Sequence, residues 1–104
     1  MFVARWKIDA RFGHKQSAIE LMRQWEREIG PQAGTDKMAM QILTGSIGAK
    51  EATIEANHHV ESLAQLEDFF ARISKIEAHA QWGKKLEPLV VSGSSYWNIY
   101  RVVE

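Results

Sequence analysis

Residues 2–10, FVARWKIDA, alternate without a break: Phe2, Ala4, Trp6, Ile8 and Ala10 share one side, and Arg5, Lys7 and Asp9 share the other with Val3. Period-two alternation of this kind is a β-strand buried mainly on one face. Gly13 ends it, and over residues 14–29 the spacing becomes helical, with Ala18, Leu21, Met22, Trp25 and Ile29 in one stripe. Gly30-Pro31 then stops the helix. By the standard rises, strand and helix are each about 25 Å long. Each has one apolar face, and the two faces match in length, so the chain must fold as a sheet with helices laid across it.

The remaining segments repeat this logic. Residues 32–37 read as a loop, and residues 38–44, MAMQILT, as a second strand. Gly45, Gly48 and Lys50-Glu51 mark a hairpin, and residues 52–60, ATIEANHHV, form a third strand with Ile54, Ala56, His58 and Val60 on one face. Ser62 is a candidate N-cap with Gln65 at the capping-box position. The helix that follows carries Leu66, Phe69, Phe70, Ile73 and Ile76 at helical spacing. It either continues through HAQWGKKLEPL or breaks near residue 77, and Gly83 and Pro88 leave its bounds open. SGSS at 92–95 is a turn, and residues 96–103, YWNIYRVV, make the last strand. The order β-α-β-β-α-β predicts a ferredoxin-like α+β domain over residues 1–104: a four-stranded antiparallel sheet with its helices on one face.

Such a two-layer domain leaves its second sheet face to water, and here that face is partly apolar. Val3, Ala39 and Leu43 contribute to it, and the last strand is apolar on both sides, Trp97, Ile99 and Val103 against Tyr96, Tyr100 and Val102. Burying four or five such side chains is worth roughly 6–12 kcal/mol before association costs. The expectation is a homodimer, a dimeric α/β barrel.

Charge and composition exclude several classes. The 104 residues carry 13 Lys+Arg against 13 Asp+Glu, without a basic stripe, so neither nucleic acid nor a membrane surface is an expected partner. There is no cysteine, hence no disulfide, thiolate metal site or thiol nucleophile. The opening residues lack the apolar core of a signal peptide, and the expected location is the cytoplasm. No nucleophile elbow, phosphate loop or HExxH is present.

The chemistry-bearing candidates are therefore few. His58 and His59 are consecutive on a strand and point to opposite faces, so they cannot share a metal ion. His79 and Trp82, three apart, share a helix face. Trp6 and His58 fall on the strand faces that should meet the helices. The expected pocket lies between the sheet and the second helical segment, lined by Trp6, His58, His79 and Trp82, with Asn98 and Tyr100 as the polar pair of the last strand. Each has a plainer reading: Trp6 and Trp82 as core, His58 as a satisfied polar residue, and His79 as a half-exposed helix residue.

Three stretches carry a family resemblance: VARWKIDARFGHKQSAIELM, HHVESLAQLEDFF and EAHAQWGKKLEPLVVSGSSYWNIYRVV. With the element order they resemble the dimeric α/β barrel superfamily, closest to its NIPSNAP-like and antibiotic-biosynthesis monooxygenase-like branches. The resemblance implies the fold more than a chemistry. Haem-degrading members use a helix His with a Trp and an Asn nearby, which would be His79, Trp82 and Asn98 here. Monooxygenase-like members use Asn, Trp and Tyr in a buried cavity without metal or flavin. The expectation is no metal and no cofactor. The function expected is binding of a small apolar or aromatic metabolite, with a cofactor-independent monooxygenase or isomerase, and a non-catalytic dimerisation or regulatory module, as alternatives.

Overall fold

In the computed structural model, which describes all 104 residues, the opening alternation is strand β1 (Phe2–Asp9). Gly13 takes a left-handed φ of 86° in the turn that follows, a conformation open to residues without a Cβ. Helix α1 (Lys15–Gln24) then begins and runs directly into a π-helical turn, Trp25–Ile29. Gly30 closes that turn: a Cβ there would stand 3.1 Å from Trp25 Cζ3 and 2.5 Å from Thr35 Oγ1. The segment expected as a loop is wound into two short 3₁₀ turns, Gly30–Ala33 and Thr35–Lys37.

Strands β2 (Met40–Thr44) and β3 (Thr53–Val60) follow as the hairpin. Ser62 caps helix α2 (Leu63–Ile73): its Oγ accepts from the Gln65 backbone N–H at 3.1 Å, and Gln65 Oε1 accepts from the Glu61 N–H. The helix does break: Ile76 is extended, and α3 (Glu77–Leu86) starts afresh. Pro88 lies in a final 3₁₀ turn, and β4 (Tyr96–Arg101) completes the chain, two residues shorter than the spacing suggests.

The sheet is antiparallel with strand order β2-β3-β1-β4, the ferredoxin-like arrangement with both crossovers formed. The register aligns Ala4 with His58 and Ile99, and Trp6 with Ala56 and Trp97, so these residues share the helix-facing side. Ala4, Ile8, Ile54 and Val60 meet Ala18, Met22, Ile29, Leu66 and Phe69 there as a continuous core. No helix is long and apolar enough to cross a membrane.

The opposite sheet face carries a charged row. Arg5 Nε donates to Glu55 Oε1 at 2.5 Å, and Lys7 Nζ lies 3.8 Å from Glu55 Oε2. The Arg5 guanidinium sits over the Tyr100 ring and the Lys7 ammonium over that of Tyr96. Tyr96, Tyr100 and Leu43 are exposed around this row, and the Asn57 Oδ1 beneath it is buried with no partner.

Candidate functional site

An aromatic cavity of about 340 Å³ lies between the sheet and the helices. All four tryptophans of the chain line it: Trp6 from β1, Trp25 from the π turn, Trp82 from α3 and Trp97 from β4. Fourteen residues form the wall and eleven are hydrophobic. A cavity of this size with few polar groups has the usual make-up of a small-molecule site.

Three of the four tryptophans present ring surface because their indole N–H groups are already engaged. Trp6 Nε1 donates to Ser95 Oγ at 2.8 Å, and Trp82 Nε1 donates to the Leu21 carbonyl at 2.7 Å. Trp25 Nε1 donates to His79 Nδ1 at 2.9 Å. An indole N–H only donates, so His79 Nδ1 must be bare, and the proton of the neutral ring sits on Nε2. His79 is further held by stacking on Trp82, with centroids 5.8 Å apart and planes 22° apart. Burial lowers its pKa, which favours the same neutral form.

His58 is the exception among these satisfied groups. It is 2% exposed, lines the cavity, and neither ring nitrogen has a hydrogen-bond partner. Phe69, Trp97 and Trp25 surround its ring at centroid distances of 5.3, 6.0 and 6.3 Å. Burial pushes its pKa down to about 4, with His59 adding to the shift. The Ala4 backbone opposes the shift without forming a well-shaped hydrogen bond. A neutral imidazole carries one N–H donor and one bare acceptor nitrogen. Both are unmet here, a costly state for a buried group in an isolated core.

Of the expected pocket residues, Trp6, His58, His79 and Trp82 are brought together on this wall. Asn98 and Tyr100 are not. The register places Asn98 opposite Arg5 and Tyr100 opposite Val3, on the other face of the sheet. The side of β4 that meets the cavity is that of Trp97 and Ile99. The set His79, Trp82 and Asn98 is therefore split across the sheet and forms no common site. Helix α3 runs unbroken through Gly83, which lines the cavity with nothing beyond its own helix backbone within 4 Å of where a Cβ would stand. Trp25, Trp97, Phe69 and Phe70 were not expected in the wall. The signal available for the tryptophans was that a 104-residue chain holds four of them, three on core-facing stripes.

No protein-family model and no curated protein matches this sequence. Solved structures do. A NIPSNAP family protein from Agrobacterium tumefaciens superposes with a TM-score of 0.80 at 17% identity, over 99% of this chain and 93% of its own. The chain has the NIPSNAP-like fold. A NIPSNAP-like domain protein from Burkholderia xenovorans gives 0.72 at 19% identity, over 98% and 84% of the two chains. An antibiotic biosynthesis monooxygenase gives 0.70 at 8%, over the full length of both. The fold is thus shared by proteins described as NIPSNAP-like and by one described as an antibiotic biosynthesis monooxygenase, and what the cavity does must be argued from its own residues.

Proposed function

We propose that this chain is a small-molecule-binding protein of the NIPSNAP-like fold whose ligand is a planar aromatic metabolite bearing a hydroxyl or carbonyl. One observation carries the reading: a buried His58 with both nitrogens unpartnered, in the wall of a cavity otherwise made of aromatic surface. Ring faces select a flat apolar body. The donor and acceptor of neutral His58 select an oxygen function on it once the ring, whose nitrogens are closed off from water in the unliganded fold, turns toward the cavity. Titration of the full chain with 1-naphthol, followed by tryptophan fluorescence, should give saturable one-to-one quenching. Trp25→Phe removes the bond that orients His79 and should weaken binding by about threefold to tenfold, the worth of a typical hydrogen bond. Fluorescence that does not respond to 1-naphthol at millimolar concentration would count against the reading.

A cofactor-independent oxygenase is the second reading, favoured by the shared fold with an antibiotic biosynthesis monooxygenase and by the desolvated aromatic wall. An electron-rich aromatic substrate can supply its own electrons to dioxygen, leaving the protein to position and desolvate it. Recovery of 1-naphthol unchanged from an aerobic incubation favours binding; an oxidised product favours catalysis.

The working unit of this proposal is a cytoplasmic homodimer joined through the open sheet face. Its support is the exposed Leu43, Tyr96 and Tyr100 there, beside an Asn57 Oδ1 that is buried without a donor. Sedimentation at micromolar concentration should give about twice the 11.9 kDa chain mass, and Leu43→Asp with Tyr100→Asp should reduce it to one. A monomer in the unaltered protein would remove the barrel.

A further inference from the structure

We propose that the ligand carries an apolar chain, which leaves the cavity between Trp97 and Phe70 and lies along a ledge formed by Ile99 of β4 and Leu63 of α2. The proposal rests on the reading of the cavity as an aromatic-ligand site and adds to it the class of ligand: an aromatic head with an alkyl or isoprenoid-like tail.

The ledge follows from how the helices sit on the sheet. Strand β4 is an edge strand, and its helix-facing side is incompletely covered. Trp97 is half-buried, and Ile99, two residues on along the same side, is 41% exposed. Phe70 of α2 packs edge-on against Trp97, with centroids 5.1 Å apart and planes at 80°, yet it is itself 38% exposed. Leu63 precedes Phe70 by two helical turns on the same helix face and is 52% exposed.

The directions of the elements make the two rows run the same way from the Trp97–Phe70 contact. Strands β3 and β4 both run antiparallel to β1, and α2 starts where β3 ends, so α2 runs back against β4. Stepping from Trp97 to Ile99 on the strand therefore goes the same way as stepping from Phe70 to Leu63 on the helix. The strip is about 10 Å long by the helical rise, with Trp97 and Ile99 on the strand side and Leu63 and Phe70 on the helix side, where the exposed Glu67 lies between them. Its inner end is the cavity wall itself, since Trp97 and Phe70 line both. That continuity argues for one molecule occupying cavity and ledge together. The surface offered to a second copy, with Arg5, Tyr96 and Tyr100, is on the other side of the sheet.

The test compares 1-naphthol with 4-butyl-, 4-hexyl- and 4-octyl-1-naphthol on the full chain, each titrated below its solubility limit. A tail covered by protein on one side should tighten binding about twofold per methylene, half the effect of full burial. This gives tens-fold between 1-naphthol and the hexyl compound, with the gain continuing to octyl, whose extended chain matches the length of the strip. In Ile99→Ser and Leu63→Ser, both exposed positions, the dependence on chain length should flatten. A dependence equally steep in both variants means non-specific partition and overturns the ledge. Binding of 1-naphthol with no gain from the alkyl chain overturns the ledge and leaves the cavity reading standing. If none of the four compounds binds, the cavity reading fails and the ledge with it. Loss of the dimer in Ile99→Ser would give the ledge to a second copy and overturn the tail.

Discussion

Replacing His58 with leucine should make the protein more stable and less able to bind. His58 is 2% exposed with neither nitrogen hydrogen-bonded, so the folded state bears an unmet polar group. An apolar side chain of similar volume removes that penalty, worth about 1–2 kcal/mol after the lost aromatic contacts, or on the order of 5 °C in Tm. The same change should weaken 1-naphthol binding about tenfold or more. The pH dependence separates this from a packing effect. His58 has a folded pKa of about 4 against 6.5 for the free side chain. Between these values the unfolded chain binds the proton and the folded chain does not. The stability His58 permits is thus complete above pH 6.5, and about 3 kcal/mol of it is lost as pH falls to 4. The lowered pKa of His79 adds a loss of the same sign. Asp9, held below the usual carboxylate range by hydrogen bonds from Lys50 and Thr53, gives way only at lower pH. Chemical denaturation at pH 7.5, 6, 5 and 4 should show the steep decline in the unaltered protein and a much shallower one in His58→Leu. Equal slopes, or a variant that melts lower at pH 7.5, would mean that His58 is satisfied in solution.

The contrast between β1 and β4 explains which parts of the site were readable from sequence. In β1 one parity is apolar and the other charged, so Trp6 could be assigned to the helix side directly. The same pattern in β3, with Glu55 and Asn57 opposing Ile54, Ala56 and Val60, assigned His58. In β4 both parities are aromatic or aliphatic, and alternation alone does not choose between them. The choice is made by pairing: Trp97 sits opposite Trp6 over the cavity, while Tyr100 and Tyr96 stack under the cations of Arg5 and Lys7. Asn98 and Tyr100 went to the wrong face for that reason. The break after α2 was undecidable for a related cause, since Ile73 and Ile76 keep the helical spacing across it. Trp25 read as one more member of the α1 stripe. Its role depends on the π turn that begins at it and on a bond to His79, 54 residues away, and neither leaves a local mark in the sequence.

Phe69→Ala should be the most damaging single substitution in the helix layer, and its effect should reach His58. Phe69 is 1% exposed and among the largest fully buried side chains. Its ring contacts His58, Trp25, Phe70 and Trp97, with centroids between 5.3 and 6.4 Å. Truncation at such a site costs about 3–5 kcal/mol, through lost transfer energy and a void that rigid neighbours cannot fill. That is a large share of the stability of a chain this size. The void would open onto a cavity that already exists and carries a polar group, so water can enter and bond the bare His58 nitrogens. Hydration removes the burial that depresses the His58 pKa, which should climb from about 4 back toward 6.5. NMR titration of the His58 ring protons measures this directly. Phe69→Leu, which keeps most of the volume, should cost about 1 kcal/mol and leave the pKa low. A low pKa in Phe69→Ala would show that the new space stays dry, and that His58 is kept neutral by neighbours other than Phe69.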